Sequence, residues 1–104
     1  MKRILNPVNP DDKILFLNRG AIYLLIEKNQ EALADFNKAL QINSQDAVAY
    51  YYRSIGYKRL NKMSQAMEDA LQAKALGYPN IDHYVEELTN LTNMKANVIL
   101  SPSK

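Results

Sequence analysis

A chain of 104 residues has room for one folded unit, and 47% hydrophobic and 23% charged residues, with three Gly and four Pro, describe a helix-rich globular protein rather than a disordered one. Thirteen Lys and Arg against eleven Asp and Glu leave a net charge of +2, too small and too scattered for nucleic acid or an anionic membrane to be the principal partner. The absence of cysteine excludes disulfides, thiol catalysis and thiolate metal sites, and it fits an expected cytoplasmic location.

Met1-Lys2-Arg3 is positive in the manner of a signal peptide, but only Ile4 and Leu5 follow before Asn6-Pro7, so no secretory signal is expected. Residues Leu5 to Asp12 read as a turn: Pro7 and Pro10 belong outside a helix, and Asp11 or Asp12 suits its N-cap. The first helix is then predicted from about Asp12. Its apolar residues Ile14, Leu15, Leu17, Ala21, Leu24 and Leu25 recur on a helical period together with Phe16, Ile22 and Tyr23, so more than one face is apolar. The longest apolar run, Ala21 to Ile26, is far below the roughly 20 residues of a membrane span.

Glu27 to Gln30 is a polar break, after which Ala32, Leu33, Phe36, Ala39, Leu40 and Ile42 form a second amphipathic stripe. Asn43 to Asp46 ends that helix and caps the next. The third helix is predicted over about Ala47 to Leu60. A turn at Asn61 to Met63 leads into a fourth over about Ser64 to Leu76, with Ser64 as N-cap. Gly77 offers a left-handed stop and Pro79 blocks resumption. A fifth helix begins near Asn80 with Ile81, Tyr84, Val85, Leu88 and Leu91 on a dry face, and Asp82, Glu86, Glu87 and Asn90 on a wet one. Such asymmetry suits a helix closing the end of a stack. Val98-Ile99-Leu100 and the terminal Ser-Pro-Ser-Lys read as a tail.

The strongest signal is a spacing of 34 residues that aligns Phe16 with Tyr50, Arg19 with Arg53, Tyr23 with Tyr57, Ala32 with Ala66, Asp35 with Asp69 and Ala39 with Ala73. Aromatic residues fall in the first half of each unit and alanines in the second, which suits two antiparallel helices packed closely and stacked on the next pair. With Gly20 and Phe36 included, this pattern resembles the tetratricopeptide repeat family. The resemblance implies an all-α fold, a right-handed superhelix of helical hairpins with five helices. Repeats would occupy residues 13–46 and 47–80 and a capping helix 81–96, with an N-terminal segment 1–12 and a tail 97–104. The second repeat departs from the pattern: Ser54 replaces the glycine, Ala70 the second-helix aromatic, and the proline falls one position late at Pro79. Val8 to Asp12 resembles the closing residues of a preceding unit, and Leu88 stands where the motif has a small residue, so no second helix is expected after the fifth.

The resemblance implies a non-enzymatic binding surface in which the first helices of successive hairpins line a concave groove. Carried over residue by residue, the lining is Ile14, Leu17, Ala21 and Leu24 in the first unit and Val48, Tyr51, Ile55 and Lys58 in the second. This set is mostly apolar and favours a peptide or amphipathic helix as partner, with Tyr51 as anchor. The alternative is coverage of the same residues by Val98 to Leu100, by Ile4-Leu5 or by a second copy in a homodimer, which the shortness of a two-repeat stack favours. Some relatives in this family clamp acidic C-terminal tails, but Leu17, Ala21 and Tyr52 stand at three of the places that would supply the polar groups.

Other candidate sites have plainer readings. Lys58, Arg59 and Arg53 are expected as salt-bridged or solvated helix-face groups. His83, beside Asp82, Glu86 and Glu87, lacks a second strong metal ligand and is expected on a solvent face. Tyr50, Tyr51 and Tyr52 point about 100° apart on a helix and so form no common platform for bases, Tyr50 being expected on the hairpin partner, Tyr51 in the groove and Tyr52 on a neighbouring repeat or in solvent. No nucleophile–base pair, phosphate loop or His-Glu-x-x-His segment is present, and no cofactor is implied.

Overall fold

Five helices follow one another through the described part of the chain, with no strand among the described residues: α1 (Pro10–Leu25), α2 (Asn29–Ile42), α3 (Ala47–Arg59), α4 (Met63–Ala75) and α5 (Asp82–Leu100). The structure is a computed structural model and describes residues 10–100, with side chains over 12–94. Consecutive helices pack as the hairpins α1–α2 and α3–α4. The hairpins meet chiefly through α2 and α3, with α1 touching α3, and α5 lies on α4.

Three helix limits differ from the sequence expectation. Pro10 opens α1 instead of preceding it, because the missing N–H of a proline falls among first-turn donors that have no helical acceptor anyway. Ser64 is not the cap of α4: the helix starts at Met63, and Lys62 occupies the cap position without a side-chain bond. The fifth helix runs through Leu100, past the expected end at 96 and into the segment read as a tail. Ile4 and Leu5 lie outside the described residues, as do the side chains of Val98, Ile99 and Leu100, and with them the expectation that either segment covers the groove.

The turn inside each hairpin is the same device used twice. Glu27 and Asn61, one period apart, take left-handed φ values of 62° and 63°. That places Lys28 N–H on Tyr23 O at 2.8 Å and Lys62 N–H on Tyr57 O at 2.9 Å, while Ala32 and Ala66 N–H reach Lys28 and Lys62 O at 3.0 Å. The backbone therefore caps itself, and no serine is needed. Between hairpins the cap is a side chain. Asp46 accepts from Val48 N at 2.9 Å and Ala49 N at 3.2 Å, and its other oxygen receives Lys13 Nζ at 3.0 Å.

Each hairpin is cross-braced at the same offset. Arg19 on α1 holds Asp35 on α2 through Nε and Nη2 at 2.8 and 2.7 Å. Arg53 on α3 holds Asp69 on α4 through Nε and Nη2 at 2.7 and 2.9 Å. Both carboxylates are buried, and the bidentate fork satisfies them. Hydrogen bonding to its aspartate is the largest cause raising the pKa of each guanidinium. Arg53 also donates from Nη1 to Asn37 Oδ1 at 2.8 Å, tying the second hairpin to α2 of the first. The alanines carry the close packing: Ala32, Ala39, Ala49, Ala66, Ala70 and Ala73 are all fully buried, as helices at short separation require.

Candidate functional site

The eight residues expected to line a groove divide into two groups. Leu17 and Leu24, seven residues apart on one side of α1, are only 7% and 6% exposed and belong to the first core cluster with Phe36 and Leu40. They form the side of α1 on which α3 packs: Leu24 Cδ2 lies 3.8 Å from the point where Gly56 on α3 would carry a Cβ. Arg59 on α3 further donates from Nη1 to the carbonyl of Leu24 at the end of α1. The expectation that these two leucines line an open surface is corrected accordingly: they are inter-hairpin core.

Ile14 and Val48, at equivalent places in the first turns of α1 and α3, stay exposed, at 50% and 38%. Ala21, Tyr51, Ile55 and Lys58 are half-buried. Ile55 borders the first core cluster, as do Tyr50 and Tyr52. Tyr52 meets the Phe36 ring of the preceding hairpin at 5.6 Å between centroids, as expected for a neighbouring repeat.

Tyr51 has a more specific setting than its spacing implied. Its ring stacks on Tyr78, with centroids 4.4 Å apart, and meets Tyr84 edge-on at 5.2 Å. Tyr78 lies in the loop after α4 and Tyr84 in the first turns of α5, so three elements converge on one aromatic cluster. Beneath it, Ser54 donates from Oγ to Ala66 O at 2.6 Å and shares a 2.9 Å hydrogen bond with Tyr84 Oη. Burial pushes the Tyr84 phenol up to about 12, only partly offset by the bond to Ser54, and burial likewise raises Tyr78. Lys58 sits 5.2 Å from the centroid of Tyr84 and 3.4 Å from Glu87 Oε2. All three basic residues weighed on the sequence therefore have protein partners: Lys58 on Glu87, Arg59 on Leu24 O and Arg53 on Asp69.

Sequence reasoning missed the aromatic cluster and the two braces. The braces had a signal, since Arg and Asp recur at the same offset in both units. The cluster had only a partial one: Tyr84 repeats the aromatic position of Phe16 and Tyr50, whereas Tyr78 stands where the first unit has Ser44. His83 is exposed on α5, as expected. Among the described residues no helix is long and apolar enough to cross a membrane.

The geometry defines a class: stacked antiparallel helical hairpins, closed by one further helix and carrying partly exposed apolar residues on α1 and α3. The tetratricopeptide repeat family model matches residues 14–46. A solved structure of the first TPR of Spaghetti (RPAP3) bound to the HSP90 peptide SRMEEVD superposes with a TM-score of 0.75, covering 85% of this chain and 69% of that one at 23% identity. Among curated proteins, the TPR repeat-containing thioredoxin TDX of Arabidopsis thaliana is 34% identical over 71 residues, 68% of this chain and 19% of its own length. Protein unc-45 homolog B of Mus musculus is 34% identical over 77 residues, 74% of this chain and 8% of its own. The chain thus spans less than a fifth of these relatives. It is a tetratricopeptide repeat protein, and the repeats of this family mediate protein–protein interaction.

Proposed function

We propose that this chain is a non-enzymatic module that binds an apolar or amphipathic protein segment across α1 and α3. Ile14, Ala21, Val48, Tyr51 and Ile55 supply the contacts, Lys58 stands at the polar edge, and Leu17 and Leu24 hold α1 and α3 together behind them. The observation that carries this reading is that Ile14 and Val48, one repeat apart in the first turns of α1 and α3, both remain large exposed hydrophobic residues. A segment laid across both would bury them at about 25 cal/mol per Å². A cytoplasmic setting fits a chain without cysteine.

The RPAP3 domain binds an acidic HSP90 peptide. Here Leu17 is core, Ala21 has no polar group, Tyr52 packs on Phe36, and Lys58 and Arg59 are engaged within the chain. An acidic tail would thus find few free donors, which favours an apolar ligand. The test is a fluorescence polarisation titration with two labelled peptides, an amphipathic helix and SRMEEVD, against the wild type, Tyr51→Glu and Val48→Glu. The helix should bind more tightly, and both variants should weaken it at least about tenfold, the scale of losing one hot-spot side chain. Tighter binding of SRMEEVD, or helix binding indifferent to both substitutions, sinks the reading.

A further inference from the structure

Tyr51 is the second-unit counterpart of Leu17, yet the two positions are closed differently. Leu17 is buried in the first core cluster. Tyr51 is half-buried, and its supports come from the loop after α4 and from α5. Tyr78 covers one face of its ring, with centroids 4.4 Å apart and planes 28° from parallel, and Tyr84 meets it edge-on at 76°. In the first unit the place of Tyr78 is taken by Ser44, which has no ring to offer.

The loop that carries Tyr78 is fixed on both sides. Gly77 follows α4 with a left-handed φ of 96°, and Tyr78 N–H donates to Ala73 O at 2.9 Å. Pro79 restricts its own φ through its ring, and Asn80 is left-handed at 55°. Ile81, only 3% exposed, then anchors the chain in the interior, and its carbonyl accepts from Val85 N at 3.0 Å. Tyr84 is held at its far end by the 2.9 Å hydrogen bond between its hydroxyl and Ser54 Oγ. Both rings that touch Tyr51 therefore stand on anchored supports.

We infer that Tyr78 is a positioning residue for partner binding: it clamps the Tyr51 ring against Tyr84 and holds it in one orientation for the incoming segment. The inference rests on the reading of Tyr51 as a contact residue given above. A tyrosine free to rotate at a surface loses that freedom on binding, whereas a clamped one has lost it already on folding, so less affinity is spent on ordering. The anchored loop also distinguishes a support from a cover. A cover must lift away, and this loop is tied to α4 through Ala73 O and to the interior through Ile81.

The test uses the full chain as wild type, Tyr78→Ala, Tyr78→Phe, Tyr51→Ala and the double variant Tyr51→Ala with Tyr78→Ala, each checked for folding by circular dichroism. Without peptide, three-bond couplings of labelled Tyr51 should report one χ1 rotamer in the wild type and an average over several in Tyr78→Ala. In a polarisation titration with a labelled amphipathic helix of Leu, Lys and Glu, Tyr78→Ala should bind about three- to tenfold more weakly, the scale of ordering one side chain on binding. Tyr78→Phe keeps the stacked ring and should bind as the wild type does. On the Tyr51→Ala background, Tyr78→Ala should weaken binding no further, because it acts through the ring already removed, whereas a general loss of stability would persist there. Averaged Tyr51 couplings in the free wild type overturn the inference. So does unchanged or tighter binding by Tyr78→Ala, tighter binding marking Tyr78 as a cover, and so does an undiminished loss on the Tyr51→Ala background, which would make Tyr78 a contact in its own right. A wild type that does not bind the helix sinks the functional reading and this inference with it, and the peptide-free couplings tell that failure from a failure of the clamp alone.

Discussion

The ring of Phe36 on α2 fills the space that any side chain at Gly20 on α1 would need. A Cβ at position 20 would overlap Cε1 of the ring and lie 2.9 Å from both Cδ1 and Cζ. One period later the pair becomes Ser54 and Ala70, both fully buried. The smaller residue on α4 makes room for the larger one on α3, and Tyr84 from α5 reaches in to bond it. The second repeat has exchanged its two volumes without losing close contact between helices.

Gly20→Ala should therefore destabilise the protein by about 1–3 kcal/mol through overpacking, even though alanine is the better helix former. In urea denaturation, combining it with Phe36→Leu should cost less than the two single changes added together, because the neighbours share one volume. Strict additivity would show that the ring does not set the requirement at position 20.

The braces should differ in weight. Arg53→Met leaves the buried Asp69 carboxylate unpaired and removes the link to Asn37, a loss of about 3 kcal/mol by comparison with other broken buried pairs. Arg19→Met should cost less, since the Arg19 side chain is 57% exposed against 22% for Arg53 and has no third partner. Replacing Arg53 and Asp69 together by Met and Leu should recover much of the loss. Thermal melts of these variants test the order.

Alkaline unfolding should report on Tyr84. Its folded pKa is raised to about 12 from an ordinary value of 10.0, so the fold favours the neutral phenol. That contribution is fully present below about pH 10 and is lost as pH rises through about 12. Tyr84→Phe should flatten the fall of Tm across this window, with the raised Tyr78 supplying what slope remains. An unchanged slope would place the alkaline sensitivity elsewhere.

Ser54→Ala removes the hydroxyl that bonds both Ala66 O and Tyr84 Oη. Stability in urea denaturation should drop by about 1–2 kcal/mol.

Asp46→Ala removes the acceptor for Val48 and Ala49 N–H at the start of α3, along with the partner of Lys13. A loss of about 1–2 kcal/mol in denaturant titration is expected, against less than about 1 kcal/mol for Lys13→Ala, which leaves both backbone bonds to Asp46 in place.

The 34-residue period by itself determined the hairpins and the small residues that let helices approach, because repeated local patterns carry repeated local structure. It also placed Arg19 with Asp35 and Arg53 with Asp69 at equal offsets, without showing that they meet. Tertiary structure alone decided which apolar residues of α1 are core and which are surface. Leu17 and Leu24 face α3 while Leu15 and Ile22 face away, and a helix apolar on several sides does not reveal from its own sequence which side its neighbour takes. The same holds for Tyr51: Tyr84 keeps the aromatic position of Phe16 and Tyr50, but only the docking of α5 brings its ring together with those of Tyr51 and Tyr78.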